Sequence, residues 1–222
     1  MHSASLHKLV AEVLKAIGRP LICTEYMART RNSRFSTILP LLKDKKVGER
    51  LTKVWGQLQP ASTQRVALTS KYKALLTDSE LARADLPKGR QSFVKNCAAC
   101  HKLYEDGGDV GPALTGAQRG NLDYMLENVL DPSAVVPREY QVNVIFLNDG
   151  RTINGIIRNE TDKAVTVRTA NETIVIPKDE IESRSVSKMS MMPEGLFDKL
   201  PDREVRDLVA YLRGKKQVPL PK

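Results

Sequence analysis

The 222-residue chain has no apolar run approaching the ~18 residues that a membrane-spanning helix requires. Nor does it open on a signal peptide, because Leu9-Val10-Ala11 is soon interrupted by Glu12 and Lys15. Glycine and proline, 13 and 12 residues, are not enriched, so the composition is that of a folded soluble protein and not of a low-complexity chain. Nothing resembles a catalytic triad, a phosphate-binding loop or a pair of acid/base carboxylates. The acidic run Asp179, Glu180 and Glu182 has no neighbours that would set one carboxyl apart from another, and it reads as a solvated strand edge. Arg29, Arg31 and Arg34 lack the interleaved aromatic residues that base stacking uses, which argues against a nucleic-acid partner. The basic excess is local: residues 1–86 carry 15 Lys and Arg against 7 Asp and Glu, and residues 87–222 carry 20 against 19. A solvated basic face is the first reading, and steering of acidic partners or an anionic polymer the second.

Against these absences stands Cys97-Ala98-Ala99-Cys100-His101. Two cysteines three apart, followed at once by histidine, form the C-x-x-C-H attachment signature of c-type haem. On one helical turn two thiols can add to the two vinyl groups of one haem, and the adjacent imidazole is then placed to bind the iron as proximal ligand. The competing readings are a redox dithiol, half a zinc site, or chance. A dithiol belongs between a strand and a helix of a βαβ unit, which is not the pattern here. A zinc site needs a second Cys/His pair, and the remaining candidates, Cys23, His2 and His7, lie far upstream. With Cys97 and Cys100 engaged, Cys23 is the odd cysteine and reads as a buried free thiol.

Around the motif the chain is organised in three parts. Residues 5–86 read as short helices, at 5–17, 21–28, 35–42, 48–58 (with Trp55) and 61–76, suggesting stacked helical hairpins without a clear sequence repeat. Asp85-Leu86-Pro87 marks the boundary. Residues 88–96 form a helix running into the motif, with Gly89, Phe93 and Cys97 on one face. Further helices are expected at 121–130 and 202–213, the last carrying Leu208, Val209, Tyr211 and Leu212. The glycine on the first helix suits a close crossing with the last. Between them, from residue 139 to about 187, the hydrophobic period changes to two. Short Val/Ile/Thr-rich strands are expected at 141–147, 151–158, 164–169, 172–177 and 180–186, with Asp149-Gly150 favouring a tight hairpin. The expected class is therefore mainly α with a β insertion (α+β): helices interrupted by a small five-stranded antiparallel sheet or barrel.

Taken together, Gly89-x3-Phe93-x3-Cys97-x2-Cys100-His101, the Gly111-Pro112-Ala113-Leu114 loop, a methionine loop and a terminal helix with Leu208 and Tyr211 resemble class I cytochromes c. The β insert and Ser190-Met191-Met192-Pro193-Glu194-Gly195-Leu196 are similar to the Pirellula/Verrucomicrobium-type haem-binding domain of planctomycetes and their relatives. The resemblance spans roughly 87–214. Residues 1–86 more weakly resemble the HEAT-like stretches that precede this module, giving domains at 1–86 and 87–222.

The resemblance implies a class I cytochrome c helical fold and one haem c held through Cys97 and Cys100. His101 is then the proximal ligand, and Pro112 offers its carbonyl to the imidazole N–H, a bond that fixes the ring. The distal ligand is Met192, immediately before Pro-Glu-Gly, with Met191 and then Met189 as alternatives. Phe93, Leu114, Leu208 and Tyr211 become haem-pocket and helix-crossing residues, and Tyr104 and Tyr124 candidate donors to the haem propionates. The implied function is single-electron transfer between redox partner proteins, as the C-terminal module of a larger exported, periplasmic dehydrogenase-like protein whose leader is not in this chain. The alternative is a haem-bearing binding module whose β insert docks a polysaccharide or a partner protein.

Overall fold

The computed structural model describes residues 63–221. The helices expected between 5 and 58, together with Cys23, Trp55 and the Arg29–Arg31–Arg34 group, lie outside them. The chain divides into two units at residue 60, and the described residues belong to the second, Ala61–Lys222, which contains the motif. Its elements are α1 (Thr63–Leu75), α2 (Asp78–Leu81), α3 (Leu86–Asn96), α4 (Leu122–Leu130), β1 (Val142–Leu147), β2 (Thr152–Glu160), β3 (Ala164–Arg168), β4 (Thr173–Pro177), β5 (Ile181–Val186) and α5 (Asp202–Arg213). Among the described residues no helix is long and apolar enough to cross a membrane.

This architecture corrects the expected class. A mainly α, class I cytochrome c helical fold is not what the described residues form. They build five α-helices and a five-stranded antiparallel sheet of order β4-β3-β2-β1-β5. The physical reason lies in the strands themselves. Alternation along them puts Ile145, Leu147, Val165, Val167 and Ile176 on one face, where they pack with Ile153, Ile157, Ile174 and Ile181 into a cluster of their own. The sheet thus brings a second core instead of decorating a helical one. It is also open, with β4 and β5 at its edges, and is not closed into a barrel.

The helical core includes residues that the sequence assigns upstream of the boundary at residue 86. Tyr72 and Leu76, each 1% exposed, pack with Phe93, Leu126, Phe197, Val205, Leu208, Val209 and Tyr211. Tyr72 meets Phe197 edge-on at 5.1 Å between ring centroids, and its hydroxyl donates to Asp198 at 3.1 Å. Helix α1 therefore belongs to the motif-bearing unit.

That core is centred on the crossing of α3 and α5. The Asp85 side chain caps α3 by accepting from the Lys88 N–H, and Pro87 occupies the first turn, where its missing N–H costs nothing. At Gly89 the two backbones approach so closely that an added Cβ would overlap the Asp207 carbonyl and lie 2.7 Å from Tyr211 Cβ. Just beyond, Phe93 and Tyr211 meet at 5.7 Å between ring centroids, tilted by 50°. Such a pair contributes about 0.5–1.5 kcal/mol beyond the burial of its area. Buried Asp207 accepts from the Asp85 N–H at 3.0 Å and from Arg206 at 3.1 Å, so its charge is partnered at the crossing.

Gly89→Ala should cost about 1–3 kcal/mol of overpacking, read as a lower urea midpoint. Gly116→Ala, whose added Cβ meets nothing within 4 Å, should change stability by less than about 0.5 kcal/mol.

Candidate functional site

Helix α3 ends at Cys97, whose N–H still reaches the Phe93 carbonyl at 2.8 Å. The chain then turns tightly, with the Cys100 and His101 N–H groups both donating to the Cys97 carbonyl, at 3.1 and 2.9 Å. One turn thus presents two thiols and an imidazole. The next loop folds back over it through backbone hydrogen bonds from Gly108 to Ala98, from Gly111 to Cys100 and from Leu114 to Lys102, each at 2.7 Å. Leu114 packs on the edge of the helical core. This return requires glycine at three positions, one of them Gly108, where an added Cβ would lie 2.5 Å from the Ala99 carbonyl oxygen. Gly107 has φ +110°, where a side chain would strain the backbone. At Gly111 an added Cβ would lie 2.5 Å from His101 Cε1 and 2.9 Å from Nδ1, so the bare glycine lets the loop lie against the imidazole.

The loop also defines the imidazole's chemistry. His101 Nδ1 lies 2.8 Å from the Pro112 carbonyl oxygen. A carbonyl can only accept, so Nδ1 carries a proton, and in the neutral ring Nε2 is then the nitrogen with the lone pair. The ring is half-buried.

Burial pushes the Cys97 thiol up to about 12, with Cys100 adding in the same direction. Reactive dithiols depend on a lowered thiol pKa, so this environment opposes the redox-dithiol reading. Among the described residues no group of three or more His, Cys, Asp and Glu side chains could hold a metal ion, which leaves the half-zinc-site reading without a second pair there.

Other residues singled out from sequence occupy distinct places. Phe93 and Tyr211 lie in the core directly behind the turn. Met192 is half-buried in the loop between β5 and the short helix Phe197–Lys199, and its N–H donates to the Ser190 hydroxyl at 3.1 Å. That loop is moored by the Ser190 N–H to the Ser133 hydroxyl at 3.1 Å and by Glu194 to Arg65 at 3.8 Å. Met191 is half-buried beside it, whereas Met189 is 58% exposed. The Tyr104 hydroxyl donates to the Gly214 carbonyl at 2.6 Å, so it is committed to the end of α5 and not turned to a ligand. Burial raises the Tyr124 hydroxyl above its ordinary value.

Sequence reading missed the polar fastenings. Arg90 binds Asp106 through two nitrogens, at 2.7 and 3.1 Å, and the Val218 carbonyl at 2.6 Å. Gln217 donates to the same carboxylate at 2.8 Å and accepts from the Tyr211 hydroxyl at 2.7 Å. This network ties α3, the loop after the motif and the tail after α5 together. Arg119 lies over the Tyr104 ring and donates to the Leu212 and Gly214 carbonyls at the end of α5. No local signal marks such residues, since each partner is remote in sequence. Compared with family models and with curated proteins, the chain matches none.

Two outcomes follow. Gly111→Ala should displace the imidazole and abolish the single Nδ1–H tautomer, seen by nitrogen-15 NMR of His101 in the chain without any added group. In the same chain, Cys97 should be alkylated by iodoacetamide at pH 8 at least about tenfold more slowly than in urea-unfolded protein, because only the thiolate reacts. Peptide mapping by mass spectrometry measures both rates.

Proposed function

We propose that the chain is an electron-transfer module that carries one covalently attached c-type haem. Cys97 and Cys100 would form the thioethers, His101 would be the proximal ligand and Met192 the distal one. The observation that carries this reading is the fixed imidazole. Pro112 holds the proton on Nδ1 and Gly111 lies against the ring, so Nε2 is the free donor atom on a turn that also presents two thiols. The donor set fits the group: two sulfurs for two vinyl positions, and one neutral imidazole nitrogen for iron.

When bound, the haem would supply the one-electron chemistry, iron alternating between ferric and ferrous states. The chain's own residues orient, exclude water and tune. Donation from Nδ1–H to the Pro112 carbonyl makes the imidazole a stronger donor. Phe93, Tyr211 and Leu114 supply apolar packing behind the turn and keep water from the buried side. A thioether from Met192 would favour the ferrous state and raise the potential, and the moorings of its loop at Ser133 and Arg65 support a fixed position for it. The partners would be donor and acceptor proteins, and the compartment periplasmic or otherwise exported, where C-x-x-C-H attachment is normally made. The sheet is fastened to the loop over His101 by Arg158, which favours a role beside the haem over that of an independent polysaccharide-docking insert.

Export of the chain in a host with haem-attachment machinery should give a pyridine haemochrome of c type, one haem per chain, that survives acid–acetone extraction. Replacing both Cys97 and Cys100 by serine should abolish it, and extraction of all haem from the unsubstituted chain would refute the reading. Met192→Ala should remove the weak long-wavelength sulfur-to-iron band of the oxidised protein. An unchanged band would move the assignment to Met191.

A further inference from the structure

We infer that Arg158 of the β-sheet is a positioning residue for His101, acting through the loop Asp109-Val110-Gly111-Pro112; the inference rests on the haem reading for its functional consequence. Three features of the structure support it, two at this residue and one at the loop it grips. Arg158 lies at a register shift in β2, where Ile157 pairs with Val167 but Asn159 already pairs with Thr166. It is therefore the extra residue of a β-bulge, a device that re-aims a side chain out of the regular alternation. Its guanidinium, over the Tyr140 ring at 5.6 Å, donates through Nη2 to the backbone carbonyls of both Asp109 and Val110, the latter at 2.9 Å. From the neighbouring strand Arg168 reaches the Asp109 carboxylate at 3.4 Å.

The sheet thus grips two consecutive residues of a loop whose next two residues act on the imidazole. Gly111 lies against the ring and Pro112 accepts from Nδ1. Val110, between the gripped and the acting residues, is 2% exposed, so the loop has little freedom to absorb a shift. The motif side holds it equally, through the Gly108 and Gly111 N–H bonds to Ala98 and Cys100. Releasing the sheet side lets the Pro112 carbonyl drift from Nδ1. A weaker bond there makes the imidazole a poorer donor, which destabilises ferric iron relative to ferrous and raises the reduction potential.

The test compares Arg158→Met, which keeps the apolar stem, with Arg158→Lys, which restores one donor. Arg151→Ala is the control, an arginine in the β1–β2 turn that is bonded to Asp149. Arg158 is exposed, so none of these changes empties a core. Covalent haem, read as the pyridine haemochrome, should be equal in all variants. Arg158→Met should favour reduction about tenfold, the equivalent of about 59 mV for one electron. Arg158→Lys should recover part of the shift and Arg151→Ala should show none. An unshifted potential in Arg158→Met, or an equal shift in Arg151→Ala, would overturn the inference. If the unsubstituted chain takes up no haem, the functional reading fails, and the positioning role is then decided in the haem-free chain. There the His101 Nδ1–H tautomer must dominate in the unsubstituted protein and be lost in Arg158→Met. Persistence of the tautomer would overturn the role.

Discussion

The helical part depends on one steric condition: α3 and α5 cross with no side chain between their backbones. Gly89 leaves room for the Asp207 carbonyl and Tyr211 Cβ, and Phe93 and Tyr211 then close the crossing from one side. Because α3 runs directly into Cys97, the crossing fixes where the turn with two thiols and an imidazole begins. A helix displaced by a methyl group would carry that turn with it, since close-packed interiors transmit strain and do not absorb it.

The imidazole itself is fixed by a different means. Its orientation comes from a loop without regular structure, held by backbone hydrogen bonds to the motif on one side and by Arg158 from the sheet on the other. Glycine is required where the loop touches the motif, at Gly107 for its positive φ and at Gly111 for its contact with the ring. The result is a histidine with an assigned tautomer before any ligand is considered, which is the preorganisation a metal ligand needs. Burial raises the Cys97 thiol, which opposes a role as the reactive member of a redox dithiol.

Much of the local structure could be read from the sequence. The alternating runs between residues 141 and 186 become β1–β5, and the helical runs before the motif and at the end of the chain become α3 and α5. The class differs: the resemblance implies a mainly α fold, whereas the Val and Ile residues of the strands make a separate core and an open sheet. From sequence α1 reads as part of an upstream segment, because nothing in 63–75 announces that Tyr72 will meet Phe197, more than a hundred residues later. The same holds for Arg90, Arg119 and Arg158. A long basic side chain looks alike in sequence whether it is solvated or bonded to a distant carbonyl.

Residue order alone sets the chemistry on offer: two thiols and an imidazole within five residues, a glycine on the helix before them, and a stretch whose period of two admits strands and not helices. These are consequences of spacing along the chain, and spacing is local. Folding in three dimensions sets the rest: that His101 Nδ1 faces a carbonyl, that the sheet holds the loop over the ring, and that the strands form a core of their own. Each of those depends on atoms brought together from remote parts of the chain, where hydrogen-bond geometry and packing, and not residue order, decide the outcome.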